Sequence, residues 1–251
     1  MDVAERIARG WPAAERRRRE RVEGAEVVEV DGLMLAFANV AEPSINTAFV
    51  EREPSDVDAA IREAEARFRE RGRSFGIDVQ VGRHPAVDEG VRSAGFQLLF
   101  EQPGMAAAIG ELPTVPDPEG VEIRPVVDAS GAAAFATVDM RAFENPPEVA
   151  EGFYAAGIGA PGAAAFVAWE GEEPVGACAA YLHEGAVGVL GVGVVPRARR
   201  RGIASALTAR AARAFPGADL AWLHATEYAR TLYEGLGFRA VSTWEVWVRP
   251  G

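Results

Sequence analysis

Residues 187–214 read VGVLGVGVVPRARRRGIASALTARAARA. An apolar, β-branched run ends at Pro196, an arginine-rich loop follows, and Gly202-Ile203-Ala204 opens a helical pattern. Backbone N–H groups at a helix start lack intrahelical partners and carry the positive end of the macrodipole. An anion such as a diphosphate docks there if the backbone can approach it, and Gly202 removes the side chain that would hold it off. Arg197, Arg199, Arg200 and Arg201 add donors suited to phosphate oxygens. Two familiar phosphate loops do not fit. A P-loop needs Lys after its second glycine, and the chain contains no lysine. A dinucleotide fingerprint needs a third glycine, but after Gly191 and Gly193 the chain has Pro196. What remains is R-x-x-G-x-A, spelled Arg199 to Ala204, directly after a strand.

A second segment follows about thirty residues later. Residues 229–238 read ARTLYEGLGF, preceded by the strand-like DLAWLHA at 219–225. Leu232 and Leu236 repeat at helical spacing, and Gly237 suits the position just beyond a helix end. In this order and at this separation, the two segments resemble the acyl-CoA loop and last helix of the GNAT superfamily of N-acetyltransferases. The resemblance covers residues 121–251. It implies an α/β (α+β) fold with a mixed central sheet and helices on both faces. It also implies acetyl-CoA as cosubstrate, with diphosphate on Arg199, Arg200, Arg201, Gly202, Ile203, Ala204 and Ser205. Pantetheine is expected along Val192, Gly193 and Val194, with Thr226 where relatives often carry Asn. The phenol of Tyr233 is expected to point at the coenzyme sulfur.

Composition bounds the alternatives. The 251 residues can hold one large or two modest domains. A net charge of −11 argues against a general nucleic-acid binder, so the run Arg16 to Arg19 reads as a solvated helix face. One cysteine, Cys178, leaves no internal disulfide framework and fits a reducing compartment. Three histidines form no metal-ligand spacing, and no metal is expected. No apolar stretch approaches the ~20 residues of a membrane span, and the Arg-rich start lacks an apolar signal core. A cytoplasmic protein is the expectation, without membrane or nucleic-acid partners and with a homodimer open.

Gly110 to Gly120 (GELPTVPDPEG) reads as a linker, at residues 111–120, between a half at 1–110 and a half at 121–251. In the second half, residues 129–143 read as a helix, Pro146-Pro147 starts another, and strands follow at 163–169 and 174–183. The first half offers a helix over 1–23, a hairpin across Asp31-Gly32 and an amphipathic helix carrying Val57, Ile61, Ala64 and Phe68. A strand at 75–81 and a short helix ending at Gly95-Phe96 follow. That last junction, VRSAGFQLLFEQPGM, echoes YEGLGFRAVSTWEVW around the other Gly-Phe pair. The echo suggests a shortened, degenerate GNAT-like unit in tandem, without an R-x-x-G loop directly after a strand or a Tyr in its Gly-Phe helix, and so without a coenzyme site of the usual kind. An unrelated α/β cap domain is the alternative.

Acetyl transfer to an amine implies three roles. The Val194 N–H would polarise the thioester carbonyl, and Tyr233 would give a proton to the departing thiolate. A general base must also take the amine proton. Many relatives place Glu on the strand before the loop, whereas this chain has Val189-Leu190-Gly191-Val192. Glu144, His183 and Glu184 are the candidates in its place, with the acceptor pocket expected along residues 140–162. A non-catalytic acyl-CoA-binding regulatory module is the competing expectation. The acceptor itself, a small-molecule or peptide amine, is not specified.

Overall fold

Asp31 and Gly32 both take positive φ, 31° and 87°. They close a two-residue hairpin between β1 (Glu26–Val30) and β2 (Leu33–Phe37), with Val30 opposite Leu33. This hairpin follows helix α1 (Val3–Arg19) in the computed structural model, which describes residues 2–249. The first half continues with β3 (Thr47–Val50), α2 (Val57–Glu70), β4 (Gly76–Gln80), α3 (Pro85–Ser93) and β5 (Gln97–Ala108). The second half holds β6 (Glu122–Pro125), α4 (Ala129–Phe143) and α5 (Pro147–Val149), which runs into a π-helical turn at Ala150–Ala155. It ends with β7 (Ala163–Glu170), β8 (Glu173–His183), β9 (Ala186–Val194), α6 (Ile203–Ala212), β10 (Leu220–His224), α7 (Arg230–Gly235) and β11 (Arg239–Val248). Caps mark the helix starts: Asp56 accepts from Ala59 N–H at 2.9 Å and Asp128 from Gly131 N–H at 2.8 Å.

Among the described residues eleven strands join one sheet in the order β1-β2-β3-β4-β11-β5-β10-β9-β8-β7-β6. The middle of this order records an exchange. The last strand of each half lies inside the other half's side of the sheet: β11 pairs with β4, and β5 pairs with β10. The halves repeat one another around that centre. Each has one parallel pair, β3 with β4 and β9 with β10, then a short helix, then an exchanged strand. Both short helices end the same way. Gly95 (φ 84°) and Gly237 (φ 98°) leave the helix, and Phe96 N–H reaches Val91 O as Phe238 N–H reaches Tyr233 O, at 3.3 and 3.0 Å. This is the Schellman pattern, and it makes Val91 the counterpart of Tyr233.

Helices cover both faces. Gly176 lies under α6, where an added Cβ would meet Ile203 at 2.9 Å and Leu207 at 3.0 Å. Gly193 lies under the end of α4, where a Cβ would meet Phe143 at 2.7 Å. Gly193 is paired with Ala177, the neighbour of Gly176, so α4 and α6 sit on opposite faces. On β4, Asp78 faces α1 through Trp11, while Ile77 and Val79 turn to the core built with Ile61 and Phe68 of α2.

Helix α1 lies across the centre of the sheet and corrects the reading of its arginines. Arg18 and Arg19 are 6% and 3% exposed. Both pair with the buried carboxylate of Glu15, and Arg18 lies over the rings of Phe153, Tyr154 and Tyr181. Guanidinium is weakly hydrated and planar, so it tolerates an aromatic, ion-paired interior. Arg16 and Arg17 stay closer to the surface.

Candidate active site

The loop after β9 begins with a bulge. Ala177 opposes Gly193 and Ala179 opposes Leu190, so Gly191 and Val192 together face Cys178. Gly191 sits at φ 60°, which glycine adopts without strain. Val195 N–H donates to Val175 O at 2.9 Å. Because successive strand amides point to opposite edges, the Val194 amide group turns away from β8. Its carbonyl accepts from Arg199 Nε at 3.0 Å, and the same guanidinium reaches Ala142 O at 3.2 Å.

Arg200 (φ 64°) and Gly202 (φ 83°) then turn the chain into α6. The first helical bond is Ala206 N–H to Gly202 O at 3.0 Å. Gly202 supplies no side-chain cap. The N–H groups of Ile203, Ala204 and Ser205 have no protein partner among the described residues. The arginines divide their work. Arg197 and Arg201 are held by Glu170 at 2.6 and 2.7 Å, and these bonds pull the half-buried Glu170 carboxyl below its ordinary range. Arg199 braces β9, and Arg200 has no ion-pair partner among the described residues. Partnerless amides, a glycine at the helix start and a spare guanidinium fit a diphosphate group.

Strands β9 and β10 pair only from Ala186–Leu220 to Gly188–Trp222 and part beyond. A cavity of about 450 Å³ opens at this parting, with Val192, Thr226 and Tyr233 in its wall. Tyr233 packs edge-on to Phe238 at 6.1 Å. Burial pushes its phenol up to about 12. Phe143, Asn145 and Tyr154 of the segment expected at the acceptor also line it, whereas Phe153 is fully buried behind them.

The structure brings none of Glu144, His183 and Glu184 to this cavity, and Glu184 instead accepts from Arg9 at 2.7 Å. Glu144 ends α4 in the left-handed region at φ 61° and is exposed, turning away where its neighbours Phe143 and Asn145 turn in. His183, at the far end of β8, lines a separate cavity of about 560 Å³ with Glu5, Arg16 and Arg17. Other titratable groups take their place, several from the first half. Asp78 is 7% exposed and accepts from Trp11 Nε1 at 3.0 Å. Burial, with the Glu15 carboxylate adding to it against the Trp11 bond, raises its pKa to about 7. His224 Nε2 is buried without a partner among the described residues, and burial lowers the imidazole to about 3. Asp139, also raised by burial, accepts from Asn145 Nδ2 at 2.8 Å.

Sequence reasoning missed Asp78 and His224 for a simple reason. GIDVQ alternates apolar and polar residues, which reads as a strand with one wet face. Only the sheet order and α1 turn that face inward.

Residues 161–240 match the model of the acetyltransferase (GNAT) domain. That segment of the chain is similar to a GNAT domain. Solved structures share its fold over nearly the whole length. A GCN5-related N-acetyltransferase from Kribbella flavida superposes with a TM-score of 0.79 at 22% identity, covering 100% of this chain and 97% of that one. One from Sphaerobacter thermophilus gives 0.64 at 18% identity, covering 99% and 93%. A tandem GNAT protein from the clavulanic acid biosynthesis pathway gives 0.63 at 16%, covering 88% and 80%. No curated protein is significantly similar in sequence. The GNAT match includes both the loop from Arg199 to Ser205 and the helix carrying Tyr233. Among the described residues, no helix is long and apolar enough to cross a membrane.

Proposed function

We propose that the chain is an N-acetyltransferase that moves an acetyl group from acetyl-CoA to a primary amine of a small molecule or peptide, within a ternary complex. One observation carries this reading. The partnerless amides of Ile203, Ala204 and Ser205 stand beyond the end of β9, and the same strand's parting from β10 opens the cavity that Tyr233 lines.

In this reading Ile203 to Ser205, with Arg200, hold the diphosphate, and the outward amide group of Val194 meets the pantetheine arm. Acetyl-CoA supplies an activated acyl group. Attack forms the C–N bond and breaks the C–S bond. One nitrogen proton leaves to a base before attack, and a second ends on sulfur. A phenol raised to about 12 stays protonated through the working range, so Tyr233 donates a hydrogen bond to the leaving thiolate and relays that second proton. Holding both reactants in one desolvated cavity supplies much of the remaining acceleration.

Thiol release from acetyl-CoA, measured against a panel of primary amines, tests the reading. Turnover with at least one amine supports it. Tight CoA binding without turnover would instead indicate an acyl-CoA sensor.

A further inference from the structure

We propose that Asp78, contributed by the first half of the chain, takes the proton from the acceptor ammonium in the site whose thioester end is built by the second half. The inference rests on the acyl-transfer reading and concerns which group acts as base.

In the second half the parallel pair ends at Trp222 opposite Gly188; in the first half it ends at Phe49 opposite Asp78. Asp78 therefore stands where the first half's own strands part. In that half the loop from β3 to α2, EREPSD at 51–56, holds no R-x-x-G, and Val91 stands where the other half has Tyr233, so its parting lacks the coenzyme machinery. It presents a carboxylate instead, and Asp78 and Tyr233 line one cavity.

Trp11 Nε1 holds Asp78 Oδ2, and Trp11 is itself fixed edge-on by Phe49 at 5.6 Å and His224 at 5.3 Å. Oδ1 has no protein partner among the described residues. Among the described residues no cation pairs with Asp78. The charged and titratable groups around it include Glu15 and Arg18 on α1, His224 on β10, and Asp139 and Tyr154 from α4 and the π turn. Arg18 is committed to Glu15, whose oxygens are taken by Arg18 and Arg19. Asp139 is engaged by Asn145 and feels Arg18. His224 is held neutral and is a weak base at neutral pH. Asp78 and Asp139 each keep one oxygen without a protein partner among the described residues, but Asp139 feels the Arg18 guanidinium, whereas Asp78 has no such neighbour and a proton affinity matched to neutral pH.

The wall also indicates the class of acceptor. Glu15, Asp78 and Asp139 outnumber Arg18, and Trp11, Phe49, Phe135 and Phe143 surround them. This suits a cationic amine carrying an apolar or aromatic body. The proton balance closes: Asp78 takes one proton from the ammonium, the neutral nitrogen attacks, the second N–H proton passes to sulfur, and Asp78 returns its proton to solvent after release.

The test compares wild type, Asp78→Asn and Asp139→Asn in the amine-panel thiol-release assay across pH 5–9, with CoA affinity measured on each protein. Expected is an acid limb in wild-type kcat/KM near pH 7. Asp78→Asn should lower kcat/KM at least 100-fold and abolish that limb while CoA Kd stays within twofold, and Asp139→Asn should keep the limb. An Asp78→Asn enzyme with wild-type rate and pH profile, or loss of the limb in Asp139→Asn instead, overturns the assignment. Carboxyl ¹³C NMR of the CoA-saturated protein gives a readout that needs no acceptor. Asp78 titrating above pH 6 is expected, and Asp78 remaining ionised to pH 5 overturns the proposal. Failure of wild type to bind CoA would sink the acyl-transfer reading itself, a result distinct from all of these.

Discussion

Replacing Asp78 with Asn should make the protein more stable in a pH-dependent way. The folded state raises this carboxyl from its ordinary 3.8 to about 7. Between those values the native state binds a proton that the unfolded chain does not. Stability therefore falls as pH rises from ~4 to ~7 and stays reduced above. A shift of about 3 units corresponds to about 4 kcal/mol. Asn is close to isosteric, cannot ionise and keeps an oxygen for Trp11 Nε1. Asp78→Asn should gain up to about 4 kcal/mol at pH 8, or about 8–16 °C in Tm for a chain of this size, and almost nothing at pH 4. His224 works in the opposite sense. Its folded pKa is lowered from 6.5 to about 3, so its contribution is present above pH ~6.5 and is lost as pH falls towards 3. Wild type should therefore show a shallow pH dependence between 4 and 6.5, and Asp78→Asn should uncover a steeper rise with pH. Urea unfolding of both proteins at pH 4, 6 and 8 measures this. A variant no more stable than wild type at pH 8, or one with equal gains at pH 4 and 8, refutes the reasoning. Such a stability gain joined to a loss of turnover is the trade expected of a catalytic group held in a costly environment.

Further outcomes follow from other contacts. Tyr233→Phe should lower kcat by about 10- to 100-fold with acetyl-CoA affinity unchanged; an unaltered kcat would remove the phenol from the mechanism. Gly176→Ala places a methyl against Ile203 and Leu207 and should cost about 1–3 kcal/mol by overpacking, read as a lower urea midpoint. Glu15→Ala leaves Arg18 and Arg19 buried without their carboxylate. It should cost about 3–5 kcal/mol, and a calorimetric Tm equal to wild type would contradict that.

The sequence was most legible where local chemistry decides the backbone. Helix α4 occupies the expected 129–143 because Asp128 caps it and Pro146-Pro147 follows its end. The Asp31-Gly32 turn, the Gly202 helix start and the two Gly-Phe junctions lie where their conformational needs put them. Strand β3 was not anticipated, since four residues after Pro43 carry too little pattern. The exchange of β5 and β11 was equally hidden: each reads as a plain strand, and only pairing decides where it goes. The same non-local cause explains the site. The cradle is a contiguous segment and could be read directly. Asp78, His224 and the Glu15–Arg18 pair become one cavity wall only when α1 crosses a sheet made from both halves.

Hydrogen exchange of the backbone amides from Arg200 to Ala206, with and without CoA, tests the central claim most directly. CoA should slow exchange at Ile203, Ala204 and Ser205, while pantetheine lacking the diphosphate should not. CoA binding that leaves these amides unprotected, or protects a different helix start, would contradict it.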